Sequence, residues 1–375
     1  MINKLLFYFT SIILISCSFN NESNKSDDLK TVSLSYAKRF TVKTNSNFTV
    51  LELHGNKNDN DVTASFVLYK NKKPNYSQNA YYIKTPVTRV ASMSSIYTTM
   101  IAQLNCEDKI VAIDNVDYYN NSFIHQQVKK NAVVELSKGP QLNIEKTIAL
   151  NPDLFLTFGM GSPKDDVDKK LVQSEIPIAV SIDHLEETPL ARAEWIKFYS
   201  YFFNKEVMAD SLFKVTEQKY IELKTAASKT TKKPSVLTEI KYGDVWYIPA
   251  GKSFIAHLIE DAGGNYFWKE DIKTGSSAQS FETVYAKAKD CDIWINLYNL
   301  NSKKELLSYD GRYALFKAYK NNQLYNNNKT QNALGYSNYW ETGITHPEDV
   351  LEDLIAIFSP TLMPNHTFNY YKKLE

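Results

Sequence analysis

Hydrophobic positions change their spacing along the chain, and the spacing predicts two kinds of structure. Over residues 36–83 apolar and β-branched residues alternate with polar ones between clusters of Asn, Gly and Asp, which predicts short strands and hairpins. From Pro86 onward a short apolar run is repeatedly followed by a segment with apolar residues on one helical face. A strand followed by a helix is the repeating unit of an α/β domain.

The strand and helix unit occurs in two series. The first has predicted strands at 87–91, 110–113, 154–158 and 178–181, and helices that begin near Ser94, after Asn143 and at Pro163. The second has predicted strands at 236–240, 245–248 and 293–297, and helices at 253–262, 281–288 and 347–358. Between them, residues 189–227 are helical in pattern with a break near Asn204. This segment has no Gly, and its only Pro is Pro189 at its start, which predicts a stiff connector. The predicted fold is α/β, with two Rossmann-like lobes joined by a long rigid helix and an extra N-terminal β-rich segment.

The N-terminus has the features of an export signal. Lys4 precedes an apolar run over residues 5–15, which is too short to cross a bilayer as a mature helix. Cys17 follows small and aliphatic residues, the arrangement that a lipoprotein signal peptidase cleaves. We therefore predict that Cys17 is lipidated and that its acyl chains anchor the protein to the membrane.

Behind Cys17 the chain is rich in Asn, Ser, Asp and Lys, which predicts a flexible tether. The remaining length exceeds what one hydrophobic core commonly supports, so two lobes are expected. The predicted units are a lipoprotein signal peptide (1–16), the tether (17–33), an N-terminal lobe (34–187) with the β-rich extension at 34–86, an interlobe helical backbone (188–232) and a C-terminal lobe (233–375).

Composition and the spacing of Cys and His argue against a nucleic-acid partner, a disulfide and a metal site. The net charge is +1 without a basic block, which argues against a nucleic-acid partner. Cys106 and Cys291 lie in different halves and are predicted to be two buried thiols rather than a disulfide. The six histidines occur singly, without ligand spacing, so no metal site formed by the protein is expected.

Four short segments together resemble a known family. They are residues 89–94 leading into a helix, 149–156 before a glycine loop, 258–264 ending in Gly263-Gly264, and 346–354 near the end. In this order they resemble the helical-backbone substrate-binding proteins of ABC importers for ferric siderophores, haem and cobalamin, over residues 88–360. The segment before Pro86 resembles the extra N-terminal part of versions from Bacteroidetes.

The resemblance implies a ligand held between the lobes, little hinge motion, and delivery to the transmembrane subunits of an ABC permease. It also implies one permease-docking carboxylate on each lobe. Glu260 matches this position in the second lobe. In the first lobe Lys164 stands where the acid is expected, so the neighbouring Asp165 and Asp166 are the candidates.

Aromatic residues and one methionine near the ends of strands are the candidate ligand contacts, because α/β lobes place ligands there. The candidates are Tyr97, Phe158, Met160, Trp246, Tyr247, Tyr298, Tyr339 and Trp340. Aromatic faces suit a large, flat, partly apolar ligand, and Tyr or Trp adds a hydrogen bond at its edge.

The small number of arginines bears on the charge of the ligand. The chain has only four arginines, so a strongly anionic catecholate is disfavoured, with Lys138, Lys241, Lys252 and Arg312 as candidate partners for one. Ferric hydroxamates and cobalamin fit an aromatic cleft with few cations. Haem stays open because tyrosine, a possible axial ligand, is plentiful.

Two other classes of protein have little support in the sequence. A hydrolase lacks support, because Gly-x-Ser-x-Gly, His-Glu-x-x-His and a phosphate-binding glycine loop are all missing from the sequence. A capture lipoprotein without a permease is favoured only by Lys164. We therefore predict a non-enzymatic binding protein without a cofactor of its own. It takes an iron complex, most simply a ferric siderophore, on the periplasmic side, anchored to the cell membrane or the outer membrane.

Overall fold

The computed structural model describes residues 29–55, 61–139 and 141–375. It contains an N-terminal β-sheet, two α/β lobes and a helical connector between the lobes, which confirms the predicted fold. The predicted lipidation site, Cys17, lies outside the described residues. Within the described ranges no helix is both long and apolar enough to cross a membrane.

The N-terminal extension is a five-stranded sheet. Its strands are β1 (Lys30–Val32), β2 (Phe40–Thr44), β3 (Phe48–His54), β4 (Val62–Tyr69) and β5 (Tyr81–Lys84), paired in that order, antiparallel except for β4 with β5. Phe40 of β2 packs against the connector, where its ring lies 4.9 Å from Trp195 and 5.5 Å from Phe198. Because β1 begins at Lys30, regular structure starts inside the segment predicted as a tether.

The N-terminal lobe is a parallel sheet with helices. Its elements are β6 (Val90–Ser92), α1 (Ser95–Gln103), β7 (Ile110–Ile113), α2 (Ser122–Lys129), β8 (Val134–Glu135), β9 (Ser137–Lys138), β10 (Gln141–Leu142), α3 (Ile144–Leu150), β11 (Leu154–Phe158), α4 (Pro163–Asp166), α5 (Lys169–Val172) and β12 (Ile178–Ser181). The order in the main sheet is β12-β11-β6-β7-β8, all parallel. The single helix predicted from Pro163 is two helices, because Val167 has extended backbone and Asp168 caps a new helix.

The connector consists of α6 (Pro189–Ala193), α7 (Trp195–Phe203) and α8 (Glu206–Ser228). Asn204 ends α7 in the left-handed conformation, with φ of 56°, as asparagine tolerates. The helical character of this region and its break at Asn204 are therefore as predicted.

The C-terminal lobe repeats the architecture. Its elements are β13 (Ser235–Thr238), β14 (Lys241–Tyr242), β15 (Val245–Pro249), α9 (Phe254–Asp261), β16 (Asn265–Tyr266), β17 (Ser276–Gln279), α10 (Phe281–Ala288), β18 (Ile293–Ile295), α11 (Lys303–Tyr309), α12 (Lys317–Lys320), β19 (Leu324–Asn326), α13 (Pro347–Phe358) and β20 (Lys372–Lys373). The main sheet has the order β16-β13-β18-β19-β20, parallel except for β20. A small antiparallel sheet, β14-β15-β17, stands beside it.

Each lobe has its own hydrophobic core. One core joins the extension, the first parallel sheet and α7, and the other fills the C-terminal lobe. Cys106 belongs to the first core and Cys291 to the second, and both are free thiols, as predicted. The extension therefore shares the N-terminal lobe's core, while the C-terminal lobe packs around a separate one.

Candidate ligand-binding cleft

A cavity of about 570 Å³ lies between the two lobes. One wall is the segment 184–187 that follows β12, together with Arg192 of α6. The other wall comes from the C-terminal lobe, where Glu239 follows β13 and Tyr298 lies in the loop after β18. The carboxyl ends of parallel strands point at this space, which is where open α/β sheets bind ligands.

Exposed aromatic side chains line the C-terminal wall. They are Tyr242, Tyr247, Tyr298, Tyr309 and Trp340, each between 40% and 70% exposed. Tyr247, Tyr298 and Trp340 were predicted as ligand contacts, and the structure brings them to one cavity. Tyr242 and Tyr309 were missed, although the tight turn at Gly243, with φ of 59°, marks a hairpin that presents Tyr242.

Three of the predicted contacts lie in the hydrophobic cores instead. Trp246 is fully buried and stacks on Trp294 at 5.7 Å between ring centroids. Tyr97 is buried against Tyr199, and Tyr339 is buried beneath Trp340. In an extended strand neighbouring side chains point to opposite faces, so Trp246 and Tyr247 cannot both face the cavity. None of these three residues lines the cavity.

Phe158 and Met160 are exposed but do not line the cavity. They flank the loop after β11, where the N-terminal extension approaches. A Cβ at Gly161, whose φ is 102°, would lie 2.8 Å from Thr63 Oγ1 in β4, so the close approach requires glycine. These two side chains therefore lie at the junction of extension and lobe.

The predicted docking acids differ in their contacts. Asp166 accepts hydrogen bonds from the backbone N–H of Gly161 at 2.9 Å and of Ser162 at 2.8 Å, so it holds its own loop. Asp165 and Lys164 are solvent-exposed beside it. Glu260 is exposed on α9 and lies outside the cavity. Asp165 and Glu260 are therefore the candidates whose position suits a protein partner.

A strap from the extension fixes the N-terminal wall of the cleft. The backbone N–H groups of residues 35–37 donate to the Glu194 carboxylate at 2.8–2.9 Å. Those of residues 38 and 39 donate to Glu186, as does Trp195 Nε1 at 3.0 Å. Desolvation outweighs these hydrogen bonds and raises the pKa of Glu186 to about 7. Sequence reasoning missed this strap because its donors and acceptors are far apart in the chain.

Polar contacts also join the lobes beside the cleft. Glu341, the neighbour of Trp340, accepts a hydrogen bond from the backbone N–H of Asn120 at 2.6 Å. The side chain of Asn332 donates to the carbonyl oxygen of Asp117 at 2.7 Å. These bonds tie the loop after β7 to the loop that carries Trp340, and so they hold the aromatic wall in place.

The cations at the cleft are mostly paired already. Arg192 donates to Asp183 at 3.0 Å, and Lys241 lies 2.8 Å from Asp310. Arg312 pairs with Asp310 and Glu282, and it does not line the cavity. The side chain of Lys138 is not described. Lys252 lines the cavity and is solvent-exposed, and it has no ion-pair partner in the described part of the chain.

One group of donor atoms in the described chain has a spacing suited to a metal ion, and it lies outside the cleft. The donors of His346, Glu348 and Asp349 at the start of α13 lie within 4.8 Å of one another. However, the Lys219 ammonium lies 2.7 Å from Asp349 and already balances its charge. Acidic side chains at a helix N-terminus are also stabilised by the helix dipole. The arrangement is explained without a metal.

Comparisons with known proteins agree with this architecture. The chain matches the periplasmic binding protein family over residues 90–329. An uncharacterized lipoprotein of Methanocaldococcus jannaschii is 24% identical over 330 residues, which cover 84% of this chain and 77% of the relative.

Solved structures share the fold. An ABC-type Fe³⁺-hydroxamate transport system from Saccharomonospora viridis superposes with a TM-score of 0.56 and 18% identity, over 73% of this chain and 94% of that chain. A periplasmic vitamin B12 binding protein of Vibrio cholerae gives 0.54 and 17%, over 74% and 99%. Because the family match spans more than half of the sequence, this chain belongs to the periplasmic binding protein family.

Proposed function

We propose that this chain is the lipid-anchored substrate-binding protein of an ABC importer, which captures a ferric siderophore between its lobes and delivers it to the permease. The observation that carries the proposal is the interlobe cavity of about 570 Å³ with its wall of exposed aromatic rings. Cavities that bind small molecules span roughly 300–1,000 Å³ and are lined by apolar and aromatic side chains with a few polar groups. The role is binding, not catalysis.

The ligand contacts that we propose are Tyr242, Tyr247, Tyr298 and Trp340. Their rings offer flat apolar faces, and the tyrosine hydroxyls offer hydrogen bonds at the edge of a ligand. The paired state of Arg192 and Lys241 disfavours a ligand with several negative charges, since a new anion would compete with an existing ion pair. This supports a ferric hydroxamate over a ferric catecholate.

Cobalamin is the second candidate. It is also large and partly apolar, and the V. cholerae vitamin B12 binding protein shares the fold to a similar degree as the hydroxamate protein. Haem is the third, because Tyr247 and Tyr298 expose hydroxyl-bearing rings at the cavity.

The partners and location follow from the rest of the chain. Asp165 on the first lobe and Glu260 on the second are the proposed permease contacts, and lipidated Cys17 is the proposed anchor on the periplasmic face. The lipoprotein of M. jannaschii supports the anchor. The sheet over residues 30–84 lies before the family match and is the proposed Bacteroidetes-type addition.

Tryptophan fluorescence tests the proposal directly. The protein from residue 18 onward is titrated with ferric hydroxamates, ferric catecholates, haemin and cobalamin. Of the five tryptophans, Trp340 lines the cavity, whereas the other four are buried elsewhere. We expect saturable quenching by hydroxamates that is largely lost in Trp340→Phe and kept in Trp268→Phe, a buried control. If equilibrium dialysis also detects no binding of any ligand in the panel, the proposed function is wrong.

A further inference from the structure

The acids and cations of the cleft differ in whether they have partners. Arg192 and Lys241 are each held by a carboxylate outside the cavity wall, Asp183 and Asp310 respectively. Two acids of the wall, Glu187 and Glu239, have no ion-pair partner among the described residues. A ligand that enters the cleft therefore meets two cations that are already in ion pairs and two acids that are not. It also meets the exposed Lys252, which has no ion-pair partner in the described part of the chain.

Glu239 is held in a special conformation at the end of β13. Its φ is 64°, in the left-handed region that a side chain larger than Gly, Asn or Asp seldom adopts. The indole N–H of Trp294 donates to its carbonyl oxygen at 2.8 Å and fixes this backbone. A strained backbone that the surrounding structure maintains points to a function for the residue, and Glu239 is one of the residues that line the cavity.

The surroundings of the Glu239 carboxyl are polar but neutral. The hydroxyl of Thr238 lies 3.5 Å from it, a long contact. Desolvation raises the pKa of this carboxyl to about 7, with the side chains of Asn296 and Thr238 acting against the shift. The carboxyl therefore gains from any ligand group that brings a hydrogen-bond donor or a positive charge to it.

We propose that the cleft selects its ligand by charge, and that Glu239 is the residue that does so. Among chelates of one size and shape, the cleft prefers one that carries an ammonium group at its periphery. It accepts the neutral counterpart less well, and it rejects a carboxylate at the same place. This inference rests on the proposed function, because it specifies the ligand class of the same cavity.

Lys252 and Arg192 are cations of the cavity wall, and each would attract an anionic ligand. Lys252 is solvent-exposed, so water and salt screen its attraction for an anion. Arg192 is 8% exposed, and its charge is neutralised by the buried Asp183. Each cation therefore attracts an anion less than an unscreened, unpaired cation would, while Glu187 and Glu239 repel a carboxylate on the ligand.

The test uses three linear ferric trihydroxamates that differ only in one end group: a free ammonium, its N-acetyl derivative and its N-succinyl derivative. Their dissociation constants are measured by isothermal titration on the full-length lipoprotein in detergent. We expect the ammonium form to bind about tenfold more tightly than the acetyl form, because a charge-assisted hydrogen bond replaces a neutral one. The succinyl form should bind most weakly.

Three variants assign the selection to a residue. Glu239→Gln should reduce the preference for ammonium over acetyl to about twofold or less. Glu282→Gln, an exposed acid of the same lobe outside the cavity, should keep the wild-type order. If Glu187→Gln abolishes the preference while Glu239→Gln retains it, Glu239 is not the selecting residue.

The wild-type series decides the proposal even if Glu239→Gln does not fold. Equal affinities for the three chelates, or tightest binding of the succinyl form, would overturn charge selection and leave the proposed binding function intact. Failure of all three chelates to bind, when cobalamin or haemin does bind, would remove the hydroxamate assignment and with it the inference. Failure of every ligand would remove the proposed function itself.

Discussion

Replacing Trp246 with alanine should destabilise the C-terminal lobe without changing what the cleft binds. The indole is fully buried. It lies 5.7 Å from Trp294, 5.7 Å from Tyr313 and 6.0 Å from Phe316, measured between ring centroids. Its Nε1 also donates to the carbonyl oxygen of Thr238 at 3.4 Å, the residue that ends β13.

The size of the effect follows from these contacts. Replacing a buried Trp or Phe with Ala costs about 3–5 kcal/mol, from lost burial and the cavity that remains. Aromatic pairs add about 0.5–1.5 kcal/mol each beyond their buried area. With three close aromatic neighbours, Trp246→Ala belongs near the upper end, about 4–5 kcal/mol. Since whole domains are stable by about 5–15 kcal/mol, this is a large fraction of the stability of the lobe.

The assay compares Trp246→Ala with Trp340→Ala. Guanidinium unfolding is followed by far-ultraviolet circular dichroism, because both substitutions alter the tryptophan signal. Trp340 is 49% exposed, so its removal should cost no more than about 1 kcal/mol of stability. In ligand titrations the order should reverse, with a loss of about 1–3 kcal/mol for Trp340→Ala and none for folded Trp246→Ala.

Two results would refute this reasoning. The first is a folded Trp246→Ala protein that loses less than about 1 kcal/mol of stability, which contradicts the cost of such a cavity. The second is a loss of ligand affinity in Trp246→Ala at unchanged stability. That result would return Trp246 to the binding surface and require a conformation in which β15 presents its other face to the ligand.

Two further predictions concern the strap and the permease. Burial raises the pKa of Glu186 from 4.5 to about 7, so in this window the group binds more protons in the folded protein than in the unfolded chain. Its contribution lowers stability by about 3 kcal/mol as pH rises from 4.5 to 7. Glu186→Gln should reduce the slope of unfolding free energy against pH in this range. Glu187→Gln is the matched control and should keep the wild-type slope. An unchanged slope in Glu186→Gln would contradict the assignment. Glu260→Arg should abolish iron uptake in cells while ligand affinity stays unchanged, because Glu260 is exposed outside the cleft. Glu222→Arg on α8 is the control and should leave uptake intact. Weakened ligand binding by Glu260→Arg would count against a docking role.

The sequence by itself determined most of the elements of regular structure. Ile110–Ile113, Phe281–Ala288 and Pro347–Phe358 have the predicted bounds, and Asn143 and Asn204 mark helix ends where expected. These features depend on spacing within a few residues, on capping side chains and on backbone preference. All three are properties of neighbouring residues, so a single sequence contains them.

Only the tertiary structure decided which residues form the cleft. The sequence shows that side chains alternate along β15, but it does not show which face of the strand another element covers. Trp246 and Tyr247 were therefore equivalent candidates until the position of Trp294 was known. Likewise Glu186 gains its strap from residues that precede it by almost 150 positions. Glu239 lines the same cavity as the segment 184–187 because two lobes are joined across the helical connector. The physical reason is that burial, ion pairing and desolvation depend on neighbours in space, and the chain fixes those neighbours only when its two cores have formed.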